Sequence, residues 1–203
     1  MKFEDLNEIQ LDALKEIGNV GAGNAATALS TLLNKRIDMT VPKIEILPFN
    51  EVVEIMGGAD SLVAGGFLEV YGEAPMSILF AIPEKSVSLF MQILIGKEIN
   101  SIEDFDEMSE SVVKEVTNIL SGAYLNSLGM FTNLVFEASV PALAYDMSGA
   151  IIGNVLQMYG EVSDYAFVIE SVFLEADIEV KGHFFLLPEP DSLFKILERL
   201  GVS

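Results

Sequence analysis

One spacing occurs twice in this chain, and no other feature constrains its fold as much. Asp12, Glu16, Asn19 and Pro42 are matched 99 residues later by Ser111, Glu115, Asn118 and Pro141. In both copies the Asn follows the Glu by three positions, and twenty-two residues separate the Asn from the Pro. Lys15 and Lys114 keep the same offset, as do Gly23 and Gly122. A fixed offset across half a chain marks an internal duplication, and two related halves pack most simply about a pseudo-two-fold axis. The repeated residues are polar Glu and Asn, not core hydrophobes, so the repeat carries chemistry as well as architecture.

The organisation follows from a second echo. Ile82-Pro83-Glu84 through Gly96 resembles Leu187-Pro188-Glu189 through Gly201, now offset by 105 residues. The six-residue change predicts an insertion between Pro141 and Pro188, taken up by a longer hairpin. Residues 8–33 read as a helix whose buried stripe is Leu14, Gly18, Gly21, Ala25, Ala28 and Leu32, with Lys35-Arg36 near its end. Pro42 opens an extended run over 43–47. Strands are predicted at 61–71 and 75–82, then a helix from Pro83-Glu84 to a Gly96 cap. The second half repeats the order: a helix over 107–129, strands near 133–145, 150–158, 165–175 and 179–187, and a last helix from Pro188-Glu189 to Gly201. No Pro-, Ser- or Gly-rich linker separates the halves, which predicts one domain over 1–203 with repeats at about 8–97 and 107–201. The expected class is α/β (α+β), an antiparallel-rich sheet with two long helices on one face.

Composition narrows the functions open to such a fold. Hydrophobic residues make up 51% of the 203, ample for one large core. No apolar run approaches the length of a membrane span, and the acidic start lacks a signal-peptide core. With no cysteine, disulfides, thiolate catalysis and cysteine-held metals are excluded. A cytoplasmic location is expected. The net charge of −20 opposes binding to nucleic acid, whose phosphates require Lys and Arg, and to anionic membrane surfaces.

On a helix, positions separated by four and seven share a face. Asp12, Glu16 and Asn19 therefore form a polar line continued by Gly23 and Ser30. Ser111, Glu115 and Asn118 form another, continued by Gly122 and Gly129. Each helix offers an exposed carboxylate and amide beside a surface almost without bulk, where another macromolecule can come close. The doubled pattern [D/S]-x3-E-x2-N-x22-P resembles the signature of the CheC–CheX–FliY family of chemotaxis phosphatases, and the stretch 12–27 is most similar to the CheC branch. The resemblance covers essentially the whole chain, and neither copy departs from the pattern.

That resemblance implies a function. The family removes the phosphoryl group from the aspartyl phosphate of CheY, the response regulator that signals to the flagellar motor. It implies that Glu16 or Glu115 docks a lysine of the regulator and that Asn19 or Asn118 holds the attacking water with its amide. Mg²⁺ is expected in the regulator, and no cofactor or metal in this chain. Asp12 and Ser111 are expected to support the helix or interface, and Pro42 and Pro141 to set the helix-to-strand turn. Phosphorylated CheY is the implied partner and the deamidase CheD a further one, with a monomer favoured. The alternative is a non-enzymatic flagellar switch component or CheD-binding adaptor of the same fold. Rotor proteins without the activity lack the Glu and Asn that both copies keep here.

Other motifs read as structural. Gly21-Ala22-Gly23-Asn24-Ala25-Ala26 matches a dinucleotide fingerprint but lies inside a helical pattern with no strand before it. Residues 103–107 resemble a calcium loop without its glycine and terminal glutamate, and are better placed to cap the second long helix. His183, the sole histidine, is expected on a strand surface. Glu16 and Glu115 as glycosidase carboxylates are disfavoured by the accompanying Asn and the absence of Trp.

Overall fold

Each repeated phrase sits on a 26-residue helix, α1 (Glu8–Leu33) and α4 (Glu107–Thr132). The computed structural model describes residues 6–100, 104–159 and 165–203. The ends of the two helices repeat as faithfully as their middles. Asn7 caps α1 by accepting from the Gln10 amide, and the Gln10 side chain answers it in a capping box. Asp106, at the equivalent place, caps α4 through the Ser109 amide. Both helices stop at an asparagine in the left-handed region, Asn34 at φ 50° and Asn133 at φ 56°, a conformation asparagine tolerates better than most residues. The expectation that residues 103–107 cap α4 thus rests on Asp106; Glu103 lies outside the described residues.

Among the described residues, seven antiparallel strands form one sheet. They are β1 (Asp38–Pro48), β2 (Leu62–Gly72), β3 (Met76–Pro83), β4 (Phe136–Ala138), β5 (Ala142–Met147), β6 (Tyr165–Glu175) and β7 (Ile178–Pro188). The order is β1-β6-β7-β3-β2-β4, with β5 also paired to β2. The β3–β7 pairing therefore joins the two halves at the centre, and β1 at one edge answers β4 and β5 at the other. Both edges break their register at the repeated Val-Pro step. The β1–β6 ladder shifts between Thr40 and Lys43, around Val41-Pro42, and β4 and β5 are divided by Ser139-Val140-Pro141. Proline has no amide hydrogen to give a ladder, so an edge bulge suits it. This corrects the expected role: Pro42 lies within the edge strand β1 and Pro141 in the break between β4 and β5, not at the helix-to-strand turns.

The sheet buries both faces. One carries α1, α4, α3 (Glu84–Ile95) and α6 (Pro190–Arg199), over Ile78, Phe80, Ile82, Phe167, Ile169 and Phe184. Phe80, Phe90 and Phe173 meet there with centroids 5.3–6.0 Å apart, spacings at which aromatic pairs add about 0.5–1.5 kcal/mol beyond burial. The other face carries α2 (Phe49–Ile55) and α5 (Ser148–Tyr159) over Leu79, Ala81, Val168 and Phe185. The two long helices lie on one face, as expected.

Several local expectations are corrected. Residues 150–158 belong to helix α5 and not to a strand. Their β-branched run suggests a strand, but Ile151, Ile152 and Val155 bury one helical stripe, and tertiary burial overrides propensity. Helix α2 is its counterpart in the first half. Of the six inserted residues, four fall between the start of the helix and the start of the next strand (148 to 165 against 49 to 62), and two lengthen the β6–β7 hairpin (165–188 against 62–83). On α1 the buried stripe ends in Leu29, while Ala28 and Leu32 are exposed, because successive steps of four track the 3.6-residue period there. The last helix starts at Pro190, two residues later than expected. His183 is buried. It lies on the face shared with Val168 and Glu170, and its Nδ1 has no hydrogen-bond partner among the described residues.

Candidate active site

The crossing of α1 and α4 positions the repeated side chains. Gly21 lies under Tyr124: a Cβ on Gly21 would fall 2.4 Å from the Tyr124 Cδ1. Further along, Leu32 and Leu33 share a recess with Ser111 and Val112. One helix index rises as the other falls, so the helices run antiparallel. These contacts centre on Gly23 and Gly122, the two residues related by the repeat, and the pseudo-two-fold axis passes between them. Asn24 Nδ2 donates to Ser127 Oγ at 3.2 Å across the interface.

Glu16 and Asn19 are exposed on α1, and Glu115 and Asn118 on α4. Within each copy, the three-residue step places carboxylate and amide on one face. Between copies the pairs are separated. Asn19 and Asn118 stand four residues either side of the crossing, about 12 Å apart along the axis, and Glu16 and Glu115 seven residues, about 20 Å, at 1.5 Å rise per residue. The carboxylates of a glycosidase stand about 5–9.5 Å apart, so Glu16 and Glu115 cannot work as such a pair. The geometry gives two separate centres on one helical layer.

The supporting residues differ between copies. Asp12 is exposed and pairs with Lys15 at 3.4 Å. Ser111 is exposed and lies at the recess between α1, α3 and α4, while Lys114 pairs with Glu110 at 3.8 Å. Pro42 is exposed within β1, and Pro141 is buried between β4 and β5. Perturbed ionisation is found at groups outside the two Glu–Asn pairs. Lys97 Nζ stands 2.7 Å from Asp106; this ammonium and the Ser109 donors hold the Asp106 carboxyl well below the usual carboxylate range. Burial pushes the Tyr124 phenol up to about 12, with the Ser171 hydroxyl acting in the opposite direction; the two hydroxyls fall short of a formed hydrogen bond. Burial lowers His183 to about 4. No group of acidic or histidine side chains suited to a metal exists among the described residues. The fingerprint-like glycines lie mid-helix, with Gly21 serving the Tyr124 crossing.

Two features escape sequence reading. Tyr124 occupies the position of Ala25 in the first copy, and this break in the repeat is the signal that could have marked the crossing. The recess beside Ser111 and Glu115 draws on α3, and no spacing within α4 reveals that neighbour.

The CheC-like family model matches residues 9–46 and 108–145, one segment in each half. The chain is 41% identical to the CheY-P phosphatase CheC of Bacillus subtilis over 99% of its own length and 98% of that protein. It is 27% identical to the flagellar motor switch phosphatase FliY of the same organism, over 69% of this chain and 36% of that one. Among solved structures, Thermotoga maritima FliY superposes with a TM-score of 0.74 at 22% identity, covering 97% of this chain and 98% of that one. The FliM middle domain of H. pylori gives 0.68 at 11% identity, over 96% and 99%. At these identities the two structures speak for the fold alone.

Proposed function

This chain belongs to the CheC-like family, and from that premise we propose that it is a phosphatase hydrolysing the aspartyl phosphate of a CheY-type response regulator, acting in the cytoplasm as a monomer in chemotaxis signalling. The observation that carries this reading is the exposed Glu–Asn pair, presented twice at one helical spacing on either side of the α1–α4 crossing. Identity to a CheY-P phosphatase over nearly the full length supports the same substrate.

The chemistry asks little of the protein. Water attacks phosphorus in line, and the bond from phosphorus to the aspartyl oxygen breaks through a loose transition state. The free carboxylate leaves, and both protons of the water go with inorganic phosphate. A Mg²⁺ held by the regulator would supply neutralisation of the phosphoryl charge, leaving docking and positioning to the residues of this chain. Glu16, or Glu115, forms a charge-assisted pair with the regulator's lysine and fixes the docking register. Asn19, or Asn118, then lies beside the phosphoryl group. Its Oδ1 accepts from the water and its Nδ2 donates to a phosphoryl oxygen. A neutral amide suits a chain of net charge −20, since another carboxylate there would repel both water lone pair and phosphate. Positioning alone can lower such a barrier by several kcal/mol, on the order of 7 or more in well-oriented systems. CheD is a further partner in this proposal, resting on the family resemblance.

The test is loss of phosphoryl label from Mg²⁺-loaded, phosphorylated CheY. Acceleration is expected from the wild type and none from Asn19→Ala/Asn118→Ala, whose unfolding midpoint stays at the wild-type value. Each single variant is expected to keep part of the activity. Wild-type turnover by the double variant would remove both amides from the mechanism.

A further inference from the structure

We infer that the apolar recess beside Glu115 is a docking pocket for one large apolar side chain of the phosphorylated regulator, and that it makes the second centre the more selective of the two. The inference rests on the phosphatase reading. The recess has a volume of about 230 Å³ and is lined by Leu32 and Leu33 of α1, Leu94 and Ile95 of α3, and Val116 of α4, with Ser111 and Glu115 among its walls. Two residues of the repeated motif therefore border it. A regulator whose lysine meets Glu115 must lay neighbouring surface over this opening, so the recess is continuous with the proposed catalytic surface and needs no separate partner. Leu32 and Ile95 are 55% and 39% exposed. They are large apolar side chains kept in water beside a carboxylate, the arrangement of an interface anchor surrounded by a polar rim.

The duplication supplies an internal comparison. The 99-residue offset carries Leu32 to Phe131, Leu33 to Thr132, and Val112 to Ala13; the 105-residue offset carries Leu94 to Arg199 and Ile95 to Leu200. By these offsets, Thr132 and Arg199 are the counterparts, for the first centre, of Leu33 and Leu94. Thr132 turns its hydroxyl to the Leu128 carbonyl at 2.6 Å. An apolar anchor gains from burial at the second centre, whereas the corresponding positions for the first centre are more polar in sequence.

The experiment isolates the second centre in Asn19→Ala. In that background Leu32→Ser/Ile95→Ser is compared with its parent by steady-state hydrolysis of phosphorylated CheY. Both residues are exposed, so the changes leave the packed core intact, and the unfolding midpoint checks this. The expected result is a KM raised roughly tenfold, the equivalent of about 1.4 kcal/mol, with kcat within twofold of the parent. An unchanged KM overturns the inference, as does a fall in kcat alone, which would make these side chains positioning residues. A second arm uses the absence of cysteine: Ile95→Cys in the same background is measured before and after reaction with a bulky charged thiol reagent. Blocking is expected to raise KM in the same folded protein, and no response overturns the pocket. Absence of turnover in the Asn19→Ala parent would count against the phosphatase reading at this centre, an outcome distinct from failure of the pocket.

Discussion

Replacing Gly21 with Ala tests how the two centres are held in register. In most helices this change is favourable, because glycine is about 0.8–1.0 kcal/mol worse than alanine inside a helix. Here the new Cβ would stand 2.4 Å from Tyr124 Cδ1 and 2.9 Å from Cε1. The ring cannot swing away: Tyr124 is 1% exposed and stacks on Phe184 at 4.5 Å between centroids. Overpacking of this kind costs about 1–3 kcal/mol. Set against the helix gain, a net loss of about 1 kcal/mol is expected, or roughly 2–4 °C in Tm for a chain of this size. Urea unfolding of Gly21→Ala, Tyr124→Leu and the double variant measures it. On the Tyr124→Leu background the overlap is relieved and Gly21→Ala should become neutral or stabilising. The crossing also sets both helices, so Asn19→Ala and Asn118→Ala derivatives should lose activity alike. A Gly21→Ala protein as stable as wild type, with no coupling to position 124, would refute the account of the crossing.

Further outcomes follow from the electrostatics and the turns. His183 is lowered to about 4 from an ordinary 6.5, so the unfolded chain binds the extra proton and stability is lost as pH falls from 6.5 toward 4; at pH 5 the loss is about 2 kcal/mol. His183→Gln should lack this portion of the pH dependence, read as a smaller drop in unfolding free energy between pH 8 and pH 5. The depressed Asp106 carboxyl contributes stability that is present above pH 4 and lost as pH falls below it, so Asp106→Asn should flatten the acid limb of a pH-dependent unfolding curve. Ala176 turns the β6–β7 hairpin at φ 51°, a left-handed conformation costing about 1–2 kcal/mol for a residue with a Cβ, and Ala176→Gly should raise the unfolding midpoint.

The duplication made much of this molecule legible. The offset of Glu16–Asn19 to Glu115–Asn118 located both long helices and the symmetric arrangement. The capping residues Asn7 and Asp106, and the terminating Asn34 and Asn133, obey the same offset and could have been read with it. What failed were features set by tertiary neighbours. Ile151, Ile152 and Val155 form a helix because the sheet offers a surface for one stripe, and a short β-branched run does not reveal that surface. His183 is buried because its strand partners enclose it. The recess at Leu32 and Ile95 needs three helices from separate parts of the sequence, and neither periodicity nor motif spacing encodes such a meeting. Pro42 and Pro141 were legible as a pair, but their place was misread, since proline serves a turn and an edge bulge equally well.

Those prolines bear on how the molecule behaves in a crowded solution. A sheet built from two copies of one pattern has two alike edges. If both were straight, each molecule could add a neighbour at either side, and the addition would repeat without closing, as in a fibre. The Val-Pro step interrupts the outer strand at both ends, withdrawing a donor and bending the row of amides that a neighbour would need. Two residues that look like part of the reaction signature thus leave each edge without an unbroken row of donors, and Pro42→Thr/Pro141→Thr should show its fault in light scattering on concentration before any fault in turnover.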